Sequence, residues 1–329
     1  MNTTCRPLGA SPVSVGPLGL GCWPLAGMTR EGVSREVAVA TVRAAIDAGV
    51  THLDTAYCYG EHGESEQAVC EAVGGGRDAV VIASKCGIHW EPDPAGSPPR
   101  RQVTDGRPER LRAEVEESLR RLGTDRLDLL YLHAPDPAVP IEDSAGELRR
   151  LLDAGKARAI GLSNASAENL ARFAAECPLA ACQMQFNMLQ REIEAKVLPW
   201  CVAHGVAVVA YWPLMKGLLA GGMARDLVFP TTDSRHKYPM FNGAEFQRNL
   251  DFVEALGPVT RRLGCTLPDL VLAWTAEQPG ITCVLFGATS PEQVDTNAHA
   301  LQCELDDDAR AAITEAIRDR GPVANRRAV

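Results

Sequence analysis

Gly19-Leu20-Gly21-Cys22-Trp23-Pro24 is the stretch on which the choice between two α/β architectures turns. An open doubly wound sheet that binds a dinucleotide needs Gly-x-Gly-x-x-Gly directly after its first strand, with the third glycine letting the next helix pack closely. Here the third position is Pro24, which cannot begin that packing. A closed barrel has no such requirement.

Outward from this stretch, short apolar runs suited to buried parallel strands recur along the chain. Strands are expected near Leu18 to Gly21, Val50 to Asp54, Ala79 to Ser84, Leu127 to His133, Ala157 to Leu162, Ala181 to Phe186, Val206 to Tyr211 and Thr282 to Phe286. Helical periodicity fills Ser34 to Ala48, Arg107 to Leu122, Ile141 to Ala154, Arg191 to His204, Thr266 to Gln278 and Pro291 to Leu301. Pro108 opens one helix, and Gly49, Gly123, Gly155 and Gly205 follow others. Strands separated by helices give right-handed crossovers and a parallel sheet, and eight such units close into a (β/α)₈ TIM barrel.

The 329 residues read as one domain, with an N-terminal segment over about 1–15 and a polar C-terminal tail over about 318–329. Two insertions, Gly87 to Arg107 and Lys216 to about Phe246, follow strand ends and are expected as long loops over the C-terminal face. Composition is that of a globular chain, 46% hydrophobic and 23% charged. A net charge of -9 argues against nucleic acid and anionic membrane as partners, because the overall field repels both. No apolar run is long enough to span a bilayer, the N-terminus lacks a leader pattern, and the eleven cysteines show no zinc or disulfide spacing. The expectation is a cytoplasmic chain with reduced thiols and no metal.

The expected strand ends carry a set of polar residues. Asp54 ends strand two and Tyr57 and Tyr59 follow it; Ser84 and Lys85 end strand three; His133 ends strand four; then come Ser163 and Asn164, Gln183, and Tyr211. Singly, each suits a bland role as a cap or a solvated loop residue. Acid, phenol, amine and imidazole on adjacent strands each cost desolvation in the barrel mouth, and together they suit proton transfer to a carbonyl oxygen. In this reading Lys85 lowers the pKa of Tyr59, Asp54 holds Lys85 charged, and His133 positions the carbonyl oxygen or shares in the proton relay.

Asp54-Thr55-Ala56-Tyr57-Cys58-Tyr59-Gly60, Ser84-Lys85, Leu132-His133, Gly161-Leu162-Ser163-Asn164 and Gly287-Ala288-Thr289-Ser290-Pro291-Glu292-Gln293 together resemble the aldo-keto reductases. The resemblance runs from about Gly16 to Leu301. It implies an NAD(P)H-dependent oxidoreductase that reduces aldehydes or ketones, with Asp54, Tyr59, Lys85 and His133 as the catalytic tetrad and Tyr59 as general acid. It further implies that Ser163, Asn164 and Gln183 hold the nicotinamide carboxamide and that Tyr211 stacks on the ring. Pro213, Leu214, Lys216 and Gly217 match the segment over the pyrophosphate, and Gly287, Thr289, Gln293 and Asn297 match the adenosine end. Three of these assignments keep an alternative: Gly-Leu-Ser-Asn-Ala also matches a degraded nucleophile elbow, Tyr211 also suits a plain rim aromatic, and Lys216 equally suits a solvent-facing loop lysine.

Where relatives carry Lys or Arg against a 2'-phosphate, this chain has Thr289 and Gln293. NADP(H) is therefore expected ahead of NAD(H) by less than the resemblance alone implies. Trp23, Tyr57 and Trp90 are candidate walls of a pocket for a small carbonyl substrate. The resemblance leaves a homo-oligomer open. Two rival functions are a Schiff-base lyase using Lys85 and a cofactor-binding regulatory subunit with little or no catalysis.

Overall fold

The computed structural model describes residues 5–27, 33–93 and 100–324. An N-terminal hairpin pairs β1 (Arg6–Pro7) with β2 (Ser14–Val15). The barrel strands are β3 (Leu18–Gly21), β4 (His52–Asp54) and β5 (Val81–Cys86), then, after the hairpin β6 (Ile88–Pro92) and β7 (Arg100–Thr104), β8 (Leu129–Leu132), β9 (Ile160–Ser163), β10 (Ala181–Gln185), β11 (Ala207–Tyr211) and β12 (Ile281–Gly287). All eight neighbouring pairs are parallel, and β12 closes on β3 through Leu285 opposite Gly19 and Gly287 opposite Gly21. This is the closed (β/α)₈ barrel that the alternation implies, in one domain.

Eleven α-helices cover the described chain: α1 (Arg35–Asp47), α2 (Glu64–Val73), α3 (Pro108–Leu122), α4 (Ile141–Asp153), α5 (Ala167–Glu176), α6 (Val197–Ala203), α7 (Gly243–Ala255), α8 (Gly257–Leu263), α9 (Leu267–Glu277), α10 (Pro291–Ala298) and α11 (Asp307–Arg320). Their ends follow local chemistry. Ser34 caps α1 by accepting from the Val37 amide, and Thr266 with Asp269 forms a reciprocal capping box on α9. The last helix runs to Arg320, three residues into the stretch read as a tail, and residues 325–329 lie outside the described chain.

Outward strand residues such as Leu20, Leu53, Ile82, Leu130, Leu162, Val208 and Phe286 pack beneath the helices in the main core. A second cluster fills the barrel axis with Ala83, Leu129, Tyr131, Ala181, Val209, Cys283 and Leu285, and Leu8, Val13 and Val15 of the N-terminal hairpin join it from below. Arg6 ties that hairpin to the carbonyls of Ile281 and Thr282 at the start of β12. The C-terminal ends of the strands, at Asp54, Ser163, Gln183, Tyr211 and Gly287, open on a cavity.

His52 faces the axis on the same side as Asp54, two residues on, with its Nδ1 3.5 Å from Cys283 Sγ. The first insertion is the β6–β7 hairpin, whose tip, residues 94–99, lies outside the described chain. The second is a series of 3₁₀ turns from Met215 to Phe241 leading into α7.

Candidate active site

The turn after β4 builds the first part of the site. Thr55 and Tyr57 donate their amides to the Ala83 and Lys85 carbonyls of β5, and the Tyr59 amide closes a turn onto Ala56. Gly60 has φ of +88°, and a Cβ there would meet Glu64 Oε2 at 1.9 Å. Only glycine lets the chain turn here so that Tyr59 points back over the barrel.

Lys85 is buried, and each of its ammonium donors has an acceptor: Asp54 Oδ1 at 2.5 Å, the Thr55 carbonyl at 2.7 Å and the Tyr59 hydroxyl at 3.1 Å. Tyr59 accepts this bond and keeps its own proton for the cleft. His133 lies across from it, with ring centroids 5.9 Å apart. The second oxygen of Asp54 accepts from Gln183 Nε2 at 2.7 Å.

Burial pushes the Tyr59 hydroxyl well above its ordinary pKa, and the Asp54 charge adds to this. The expected lowering by Lys85 is therefore overturned in the free protein: desolvation of a phenolate outweighs one ammonium already shared with a carboxylate. The protonated phenol is the form that a proton donor needs. Burial, then the Lys85 charge, holds His133 well below the usual imidazole range, so it is neutral at neutral pH.

Beside the tetrad, Ser163 Oγ donates to the Gln183 carbonyl at 3.0 Å, and Asn164 Nδ2 donates to the His133 carbonyl at 2.9 Å. Asn164 has φ of +57°, a conformation asparagine tolerates better than most side chains, and its Oδ1 accepts from the Tyr211 hydroxyl at 2.8 Å. These bonds fix the amides around the floor of the cleft.

The cleft has a volume of about 430 Å³ and reaches from Asp54, Tyr59 and His133, past Ser163, Asn164, Gln183 and Tyr211, to Pro213, Leu214, Lys216 and Gly217, and on to Gly287, Thr289, Gln293 and Asn297. Lys85 lies behind this wall. An elongated groove with amides at one end and neutral hydroxyl and amide donors at the other fits a dinucleotide.

Of the three expected substrate walls, Trp23 lines the cleft and stands edge-on to Tyr59 at 5.1 Å between centroids. Tyr57 and Trp90 do not line it. Arg121 of α3 stacks on the Tyr57 ring at 4.5 Å, and Trp90 spends its indole N–H on the Cys58 carbonyl at 2.9 Å. Ile88 and Gln102 of the β6–β7 hairpin line the cleft instead, with Trp212, Arg235 and Tyr238 of the second insertion. Nothing in the sequence pattern singles out Gln102, Arg235 or Tyr238. Among the described residues no group of three His, Cys, Asp or Glu side chains is placed to hold a metal.

Comparison with known proteins agrees with this geometry. The model of the Aldo/keto reductase family matches residues 17–318. An aldo-keto reductase of Bacillus subtilis (strain 168) is 37% identical over 281 residues, covering 84% of this chain and 82% of the relative. An NADH-specific methylglyoxal reductase of Escherichia coli (strain K12) is 34% identical over 312 residues, covering 92% and 94%. Among solved structures, a glycerol dehydrogenase of Gluconobacter oxydans superposes with a TM-score of 0.88 at 32% identity, covering 100% of this chain and 99% of that one. With a buried acid, amine, phenol and imidazole at the mouth of a closed parallel barrel, and with relatives matched along almost its whole length, the chain belongs to the aldo/keto reductase family and is an NAD(P)H-dependent carbonyl-reducing enzyme.

Proposed function

We propose that Tyr59 delivers the proton in reduction of a small aldehyde or ketone, with NADH as the working cofactor at least as much as NADPH. The observation that carries the first part is the 3.1 Å bond from Lys85 Nζ to the Tyr59 hydroxyl, made while Asp54 holds the same ammonium. When bound, the nicotinamide supplies the hydride; every other task falls to side chains of this chain.

Ser163, Asn164 and Gln183 hold the carboxamide and Tyr211 covers one face of the ring, so that a single face is turned to the substrate. His133 is neutral and offers a ring N–H to the carbonyl oxygen without adding a competing charge. As that oxygen gains negative charge, Tyr59 gives up its proton, and the phenolate that forms is met at once by the ammonium already against it. Lys85 then shifts toward the phenolate, with Asp54 keeping it in place.

For the cofactor, Gly287, Thr289, Gln293 and Asn297 present only neutral donors to the adenosine end. Without a guanidinium or ammonium there, a 2'-phosphate is bound weakly, which favours NADH over the order expected from the resemblance. The NADH-specific Escherichia coli relative supports the same reading, and with the glycerol dehydrogenase it supports a small, polar carbonyl or its alcohol as substrate. A cytoplasmic location fits eleven cysteines of which none is paired, and no helix among the described residues is long and apolar enough to cross a membrane. The Schiff-base alternative is disfavoured because the Lys85 amine has no free lone pair while its protons serve three acceptors. The regulatory-subunit alternative has no observation in its favour, since the tetrad is complete.

The test is Tyr59→Phe. Turnover of a small 2-oxoaldehyde with NADH is expected to fall by about 10²- to 10⁴-fold, while NADH titrated by fluorescence binds within a few-fold of the unaltered enzyme. Full turnover in Tyr59→Phe would remove the phenol from the proton step.

A further inference from the structure

The resemblance places Lys216 over the pyrophosphate, yet its ammonium is turned to the substrate side of the cleft. Nζ lies 4.3 Å from the Trp212 ring centroid, 4.9 Å from that of Tyr238 and 5.7 Å from that of Trp23. Trp23 is the wall that stands edge-on to Tyr59, at 5.1 Å. The two spans of 5.7 and 5.1 Å, laid end to end, put the ammonium within about 11 Å of the Tyr59 ring. Three rings meet the cation by their faces, and none of the hydrogen bonds among the described residues starts from its Nζ.

None of the ion pairs among the described residues includes Lys216. The neighbouring cation, Arg235, is already neutralised: Asp233 accepts from its guanidinium with both oxygens, at 2.6 to 3.2 Å. The loop is also held in an unfavourable conformation. Trp212, Met215 and Lys216 all have positive φ, between +47° and +58°, at a cost on the order of 1 kcal/mol each. Strain of this kind at a cleft wall marks a side chain aimed for a purpose.

We propose that Lys216 is an anion receptor for the substrate, so that the enzyme favours aldehydes and ketones bearing a carboxylate a few carbons from the carbonyl. The proposal rests on the carbonyl-reductase reading of the same cleft. With the carbonyl at Tyr59 and His133, the hydrocarbon between the two ends lies along Trp23, and the carboxylate meets an ammonium that no carboxylate among the described residues has claimed. Burial, and next the charge of Arg235, bring the pKa of this ammonium down to about 8, with Asp233 acting in the opposite sense. Arg235, Asp233 and Tyr238 are the titratable groups that face it. The preference therefore fades as pH rises above that value, when the amine loses its charge.

The experiment compares 4-oxobutanoate with butanal, an uncharged partner of equal chain length, in the wild type, Lys216→Met and Lys216→Arg, with NADH binding titrated for each protein. The wild type is expected to show at least a tenfold higher kcat/KM for 4-oxobutanoate at pH 7. Lys216→Met is expected to lower the ratio of the two kcat/KM values at least tenfold, with the NADH Kd rising less than threefold, and Lys216→Arg to restore part of the ratio. Equal kcat/KM values in the wild type overturn the proposal. So does a Lys216→Met enzyme that keeps the ratio and loses tenfold in NADH affinity, which returns the ammonium to the pyrophosphate. A wild type that turns over neither compound, nor any other carbonyl, with either cofactor overturns the parent reading instead.

Discussion

Gln183 donates its side-chain amide to Asp54 at 2.7 Å, so a residue expected to hold the carboxamide is bonded directly to the tetrad. Asp54 thus has one oxygen on Lys85 and the other on Gln183. Replacing Gln183 by Leu leaves a buried carboxylate oxygen without its donor, a penalty of about 1–3 kcal/mol. Two separate losses are expected from Gln183→Leu: weaker NADH binding in a fluorescence titration, and a roughly tenfold slower hydride-transfer step in single-turnover measurements at saturating cofactor. If only the binding changes, the bond to Asp54 has no bearing on the proton donor.

The adenosine end makes a prediction of its own. Gln293 Oε1 accepts from the Thr289 amide at 2.9 Å and from its hydroxyl at 3.2 Å, and with Asn297 these neutral groups line that corner of the groove. Gln293→Arg supplies one on the first turn of α10, within reach of a 2'-phosphate. The ratio of kcat/KM for NADPH to that for NADH is expected to rise at least tenfold, and the gain to shrink with added salt. A wild type that already prefers NADPH tenfold would contradict the neutral lining as the determinant.

Acid stability is expected to depend on His52. Burial inside the barrel pushes its pKa down to about 4, below the ordinary value near 6.5. Between those two values the unfolded chain binds a proton that the folded chain does not, so stability rises with pH across the window and is lost on acidification through it. Replacement by the uncharged His52→Asn removes this slope. Urea unfolding of both proteins from pH 4 to 7 should show the wild type losing on the order of 3 kcal/mol more than the variant on acidification. Parallel curves would mean that the imidazole charges inside the fold.

All eight barrel strands were legible because each is a short apolar run, and the structure moves their ends by only a few residues. The helices were less so. In α2, Glu66 is completely buried, held by Ser84 at 2.7 Å and Arg121 at 3.2 Å, so the pattern of inward apolar residues is broken by a charge. In α5 only Leu170 and Phe173 are buried, too few to set a period. The grouping of Asp54, Tyr59, Lys85 and His133 was readable because adjacent parallel strands align their ends. The walls were not, because a ring in a loop turns toward whatever meets it. Tyr57 is drawn away by Arg121, a residue 64 positions on, and no local signal announces that contact.

The N-terminal hairpin has a consequence for traffic. With Leu8, Val13 and Val15 corking the lower end of the barrel and Tyr131 and Leu129 packed along its axis, the described residues leave the upper end as the way in. In the proposed reading, a dinucleotide that reaches Gln183 and Ser163 would lie on the floor, with the carbonyl compound above it beside Trp23. The guest that enters last stands between the first and the exit. Visits to this enzyme would then be nested, the alcohol departing before the spent dinucleotide has room to leave.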